Sequence, residues 1–173
     1  FSFMKEYGTV FKVYDDQDSG NICFGTEKDG QRYFVKFAGA PTEQFGGDPA
    51  DAISRLKATL PIYSDLKHEN LIELIEAKEI GDGFAMVFKW ADSDCMGRMY
   101  PAAHRRFMQL PINDRLAVFS DILSFLECVA SRKYVAIDFY DGSIMYDFAN
   151  GKTTICDIDL FHKQPCVNDM GRM

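Results

Sequence analysis

The stretch Tyr134-Val135-Ala136-Ile137-Asp138-Phe139-Tyr140-Asp141-Gly142-Ser143 decides how this chain is read. An apolar, strand-like run ends on a carboxylate, and a polar turn follows at once. A carboxylate in that place is positioned to accept a hydroxyl proton, while Asp141, Gly142 and Ser143 are equally ordinary turn formers. Just upstream, residues 113–132 read as an amphipathic helix with Leu116, Phe119, Ile122, Leu123, Leu126 and Val129 on one apolar stripe. Residues 96–108 read as a further helix before it. Downstream, 144–146 and 153–156 read as short strands, the second running into Asp157-Ile158-Asp159. Two carboxylates so close, between apolar neighbours, resist joint burial unless a cation or donors compensate. Magnesium is the hard-oxygen partner for such a pair, and a solvated loop is the plain alternative.

The first forty residues read differently. Residues 9–14, 22–26 and 33–37 are rich in β-branched and aromatic side chains and are separated by the turns 15–20 and 28–30, which makes an antiparallel meander. Gly20 closes the first turn, five residues before Gly25, and could let a phosphate approach the backbone or could simply turn the chain. On the third strand Lys36 shares a face with Phe34 and Ala38, where it needs an anionic partner or a solvated edge. Asp48-Pro49 suits a helix start, continued by Ala52, Ile53, Leu56 and Leu60, with Pro61 a kink or stop. Residues 71–75 and 84–90 read as two more strands joined across Gly81-Asp82-Gly83. Two lobes joined near 89–92 fit this order, and a cleft between lobes is where ligands bind.

With 173 residues, 47% of them apolar and 26% charged, the chain has enough apolar sequence for a real core. Its net charge of −7 argues against non-specific binding to nucleic acid or anionic membranes, and no apolar run is long enough to span a bilayer. Cys23, Cys95, Cys128, Cys156 and Cys166 are odd in number and irregular in spacing, as in a cytoplasmic protein with reduced thiols.

Taken together, these segments resemble the protein kinase-like family, in particular bacterial, eukaryotic-like Ser/Thr protein kinases. Ala130-Ser131-Arg132-Lys133-Tyr134-Val135-Ala136-Ile137-Asp138 is similar to the kinase run L-H-S-R-G-I-V-H-R-D, and His68-Glu69-Asn70-Leu71-Ile72 to the H-P-N-I/L-V segment. Tyr33-Phe34-Val35-Lys36 resembles V-A-I-K, and Ile155-Cys156-Asp157-Ile158-Asp159 resembles I-C-D-F-G. Met86-Val87-Phe88-Lys89-Trp90 looks like the fifth strand and hinge, with Phe88 as gatekeeper. The resemblance implies an α+β, two-lobed fold: an antiparallel five-stranded N-lobe and hinge over 1–91, then the first part of a helical C-lobe over 92–173.

It also implies an ATP- and Mg2+-dependent phosphotransferase that moves the γ-phosphate to a hydroxyl of a protein or a small molecule. Lys36 would hold the α/β-phosphates, Asp138 would orient or deprotonate the acceptor, and Asp157 with Ser143 would bind magnesium. Gly20 stands at the last glycine of the Gly-rich loop with Ile22 just beyond, and Lys89, Trp90 and Ala91 would offer backbone groups to adenine.

The departures are specific. Asp15 and Gln17 stand where further loop glycines belong, Thr59 stands in place of the Lys-pairing Glu, and Ala136-Ile137 replace His-Arg. Tyr140 replaces the catalytic-loop Lys. The D-F-Y-D-G-S run from Asp138 to Ser143 also looks like the D-x-H-x-G-N loop of aminoglycoside and choline kinases, and Asp157-Ile158-Asp159 like their D-x-D/E motif. A small-molecule kinase is therefore one alternative and a pseudokinase binding module another. Asn168-Asp169-Met170-Gly171-Arg172-Met173 resembles the start of an activation segment. The chain is accordingly expected to be part of a longer protein, since a full domain would need roughly 90 more residues.

Overall fold

The computed structural model describes residues 1–16 and 18–168. Gln17, and the part of the expected activation segment from 169 to 173, lie outside the described residues. The protein is α+β and forms two compact units. One comprises Phe1–Leu60 and Glu73–Trp90, the other Pro61–Ile72 and the chain from Ala91 onward. Among the described residues no helix is long and apolar enough to cross a membrane.

The first unit is built on a five-stranded antiparallel sheet of order β1-β2-β3-β5-β4. Its strands are β1 Thr9–Tyr14, β2 Asn21–Lys28, β3 Gln31–Ala38, β4 Leu74–Ile80 and β5 Gly83–Lys89. The turn between β2 and β3 uses Asp29 and Gly30, both at positive φ, as a tight two-residue hairpin requires. Strand periodicity then sorts the side chains onto two faces. Ile22, Phe37 and Ala85 pair across the strands, as do Phe24, Val35 and Val87. They pack into one core with Met4 and Tyr7 from a 3-10 helix, Ser2–Tyr7, that the sequence did not announce. Each such buried side chain contributes about 1.5–3 kcal/mol.

Helix α1, Pro49–Ala58, packs against β3 and β5. Asp48 caps it by accepting from the Ala50 N–H at 2.9 Å, with Pro49 in the first turn, as the sequence predicts. It ends at Thr59, and a short α2, Leu60–Asp65, follows. The break precedes Pro61 because a proline has no N–H to continue the ladder and its ring crowds the carbonyl four residues back.

Gly20 has φ +78°, and a Cβ there would sit 2.7 Å from Phe45 Cδ1 and 2.9 Å from Ala52 Cβ. Backbone conformation and close packing thus both demand glycine at this turn. Gly20→Ala is expected to lose about 2 kcal/mol or more in denaturant unfolding, from left-handed strain plus overpacking. Gly30→Ala, at φ +75° with nothing within 4 Å, should lose only the strain component. Equal losses would mean that the Phe45 contact is immaterial.

In the second unit, β6 Asp94–Cys95, β8 Ile144–Asp147 and β9 Lys152–Ile155 form a three-stranded sheet of order β6-β8-β9, and β7 Tyr134–Ala136 pairs with β10 Phe161–Lys163. The expected helix over 96–108 is only α3, Pro101–Met108. The Met96 N–H is taken by Ile144 O at 2.8 Å, which draws that residue to the sheet. The expected strand over 71–75 is also shortened. Leu71 makes an isolated bridge to Ile155, Ile72 N–H donates to Ile155 O, and β4 begins at Leu74.

Helix α4, Ile112–Ser131, lies within one residue of expectation, but its stripe does not. Val118, Phe125 and Val129 are buried, whereas Leu116, Phe119 and Leu123 are 55%, 59% and 61% exposed. Residues 116, 119, 123 and 126 make one apolar stripe, and 118, 122, 125 and 129 make another. Periodicity alone cannot choose between them. The packing of Met96 and Tyr146 against Val118 and Ile122 selects the second.

Candidate functional site

The expected residues fall on both units. In the first, Lys36 is 9% exposed and pairs with Cys23 on β2 and Met86 on β5, so these three share a face. The next row on that face is Gly25, Phe34 and Phe88. Phe34 lies 6.3 Å from Phe88 and 5.9 Å from Tyr14, ring to ring, and Phe11 meets Trp90 edge-on at 5.0 Å. Gly25 makes room for that last pair, since a Cβ there would lie 2.8 Å from Phe11. The result is an aromatic surface beside Lys36, with Lys12 over the Tyr14 ring and Arg32 over that of Phe11.

One expected residue lies elsewhere. Ile22 pairs with Phe37 and packs into the core on the opposite face, so the structure does not bring it to Lys36, and Cys23 occupies that register. A one-residue shift along a strand inverts the face, and from sequence the turn 15–20 does not fix where β2 begins. The Lys89 side chain lies on the Tyr33 side of the sheet, 3.9 Å from Glu73. Its N–H donates to Glu73 O, and that of Trp90 to Arg32 O. Thr59, expected in place of an acidic partner for Lys36, donates its hydroxyl to Leu56 O at 2.8 Å and Met86 Sδ at 3.2 Å. The Gly20 turn packs on Phe45 and Ala52, as described above.

In the second unit two carboxylates carry the most unusual backbone. Among the described residues, Asp29, Lys133, Asp138 and Asp157 are the non-glycine positions at positive φ. Asp29 belongs to the hairpin, and Lys133 follows the C-cap of α4. Asp138 (φ +59°) lies in the turn after β7 and Asp157 (φ +54°) in the loop after β9, and neither belongs to a hairpin or a helix cap. Both are exposed, and each abuts a buried anchor, Ile137 or Ile158. Aspartate enters this region more easily than most residues, yet it is held there only where the surroundings fix it.

Those surroundings are legible bond by bond. Asp138 follows β7 after a turn closed by Ile137 N–H to Val135 O. A 3-10 turn, Asp141–Ser143, comes next, with Ser143 N–H donating to Tyr140 O. The Cys156 N–H donates to Ser143 O at 2.9 Å, which brings the turn beside the loop bearing Asp157. Ser143 is fully buried, and its Oγ has no hydrogen-bond partner among the described residues. On the other side of Asp157, Asp159 accepts from the Tyr63 hydroxyl at 3.2 Å.

The charges of the loop are felt by its neighbours. The Tyr140 phenol is pushed up by partial desolvation and then by the Asp157 and Asp138 carboxylates. Burial, and then Asp159 and Asp157, push Tyr63 well above the usual phenol range. Cys95 is raised by burial first, with smaller contributions from Asp141 and Asp157. Both phenols and the Cys95 thiol therefore stay protonated at neutral pH. Beside Asp138 lies a concavity of about 800 Å³ lined by Val135, Ala136, Ile137, Asp138, Phe139, Tyr140, Cys166 and Asn168. That is room for a small organic molecule.

A magnesium ion takes hard oxygen donors and typically one or two carboxylates, the rest of its shell coming from water and phosphate. No group of three His, Cys, Asp or Glu side chains suited to a metal occurs among the described residues. The exposed Asp157 carboxylate and the buried Ser143 hydroxyl nevertheless fit in kind, since a buried hydroxyl without a partner is costly and a cation would satisfy it. Tyr63, Cys23 and Tyr140 are the site neighbours that sequence reasoning missed or assigned no role. Only Tyr140, inside the quoted run, carried a signal.

Compared with protein-family models and with curated proteins, the chain matches none.

Proposed function

We propose that this protein is a protein kinase-like, ATP- and magnesium-dependent phosphotransferase acting on a hydroxyl. The observation that carries the reading is the pair of exposed, left-handed aspartates, Asp138 and Asp157, on loops joined by the Cys156–Ser143 bond, with a buried Ser143 hydroxyl that has no partner among the described residues. Asp138 would accept or orient the acceptor's proton, and Lys36 would neutralise the α/β-phosphates. Asp157 and Ser143 would hold magnesium, which when bound neutralises phosphate charge. The aromatic face around Phe88 and Trp90 offers a stacking surface for a base. Because the N–H groups of Lys89 and Trp90 are already bonded, the base edge would be read by carbonyls of this segment and by the Ala91 N–H.

A second reading, transfer to a small hydroxyl compound rather than to a protein, is favoured by the concavity beside Asp138. Calorimetric titration of ATP, with and without magnesium, tests the common core of both readings. Magnesium-dependent binding that Lys36→Ala weakens by about 10-fold or more is expected, as for loss of a charge-assisted phosphate contact. Binding indifferent to both magnesium and Lys36 would sink the proposal and leave a nucleotide-independent interaction module.

A further inference from the structure

We propose that the Tyr63 hydroxyl is a positioning group: by holding Asp159 it fixes the loop in which Asp157 is presented to magnesium. The inference rests on the phosphotransferase reading of Asp157 and adds to it a residue from a distant part of the chain. Tyr63 sits on α2, within the segment Pro61–Ile72, which interrupts the first unit in sequence but belongs with the second.

That segment is fastened along its length. Asp65 accepts from the Tyr134 hydroxyl and from Lys163 Nζ, each at 2.8 Å. Further on, Ile155 N–H donates to Asn70 O at 2.6 Å, and Ile72 N–H to Ile155 O at 2.8 Å. Asn70 Nδ2 also reaches Thr153 O at 3.2 Å. Tyr63 therefore projects from a segment tied to both β7–β10 and β9, and the residue is 6% exposed.

The loop it touches is restrained on either side of Asp157. Cys156 is bonded through its N–H to Ser143 O, and the Ile158 side chain is fully buried. Asp159 follows, and the Tyr63 hydroxyl donates to it at 3.2 Å. Asp157 is left exposed between them at φ +54°. A carboxylate held in a sparsely populated conformation needs surroundings that over-determine it. The Tyr63–Asp159 bond is a restraint on the C-terminal side that comes from outside the loop. Tyr63 does not bond Asp157 itself but acts through Asp159, two residues along the same loop, and groups that orient a metal ligand tune its site.

Tyr63→Phe keeps the buried ring and deletes only the hydroxyl. Magnesium titrated into the protein with saturating ADP should then show a midpoint about 3–10-fold higher than in wild type, with magnesium-free ADP affinity unchanged. Amide exchange over residues 156–160 should quicken in the same variant without metal. Asp159→Asn retains an oxygen that can accept from the phenol and should shift the midpoint less than Tyr63→Phe does. A larger shift in Asp159→Asn would make Asp159 itself a ligand and overturn the positioning role. Wild-type magnesium dependence with an unchanged Tyr63→Phe midpoint overturns this inference alone. ADP binding that ignores magnesium in wild type overturns the phosphotransferase reading and this inference with it.

Discussion

Asp138→Asn should lower phosphoryl transfer by about 10²–10⁴-fold while leaving nucleotide affinity intact, the range associated with loss of a positioned general base. Asparagine is the right replacement because the backbone at 138 is left-handed, with φ +59°. Asn adopts that region about as readily as Asp, whereas Ala would add strain and confuse a chemical loss with a structural one. The side chain is exposed, so its substitution removes no core packing. Initial rates against candidate acceptors, alongside calorimetric nucleotide affinity for the same samples, separate the two effects. Full activity in Asp138→Asn would remove Asp138 from the chemistry. A proportionate loss of nucleotide affinity would instead assign it to ground-state binding.

The sheet of the first unit is readable from sequence because its strands are rich in β-branched and aromatic residues and its turns are chemically marked. Asp29-Gly30 and Gly81-Asp82-Gly83 can hardly be anything else, and Asp48-Pro49 caps α1 as such a pair should. What escaped was information held in three dimensions. Whether Ile22 or Cys23 stands beside Lys36 depends on a register that the turn 15–20 does not encode, and one residue inverts the face. The short 3-10 helix Ser2–Tyr7 has no periodicity of its own and owes its place to Met4 and Tyr7 packing on the sheet. Tyr63 is separated by 96 residues from the carboxylate it holds, and no local pattern announces such a bond. The left-handed backbone at Asp138 and Asp157 is likewise invisible in a string of letters, though aspartate is among the few residues that allow it. The quoted run from Tyr134 to Ser143 thus marks the candidate site in the sequence, and the fold supplies its backbone shape.

The same distinction makes α4 the sharpest test of what packs the second unit. Phe125→Ala is expected to cost about 3–5 kcal/mol in urea unfolding, whereas Leu123→Ala should fall within about 0.5 kcal/mol of wild type. Phe125 is fully buried, and its ring lies 5.7 Å from His68, 6.4 Å from Phe139 and 6.2 Å from Phe161. Leu123, two residues earlier, is 61% exposed. Truncating Phe125 therefore opens a cavity among aromatic rings, while truncating Leu123 removes atoms that already face water. A loss of that size is a large share of the about 5–15 kcal/mol that holds a typical domain together. The effect should also reach the site, because Phe139 follows Asp138 directly and Phe161 opens β10 just beyond Asp159. Where Phe125→Ala remains folded, transfer should fall further than stability alone explains, as the loops above the cavity lose their floor. Comparable losses from both variants would mean that the exposed stripe is covered in solution and that the packing of α4 described above is incomplete.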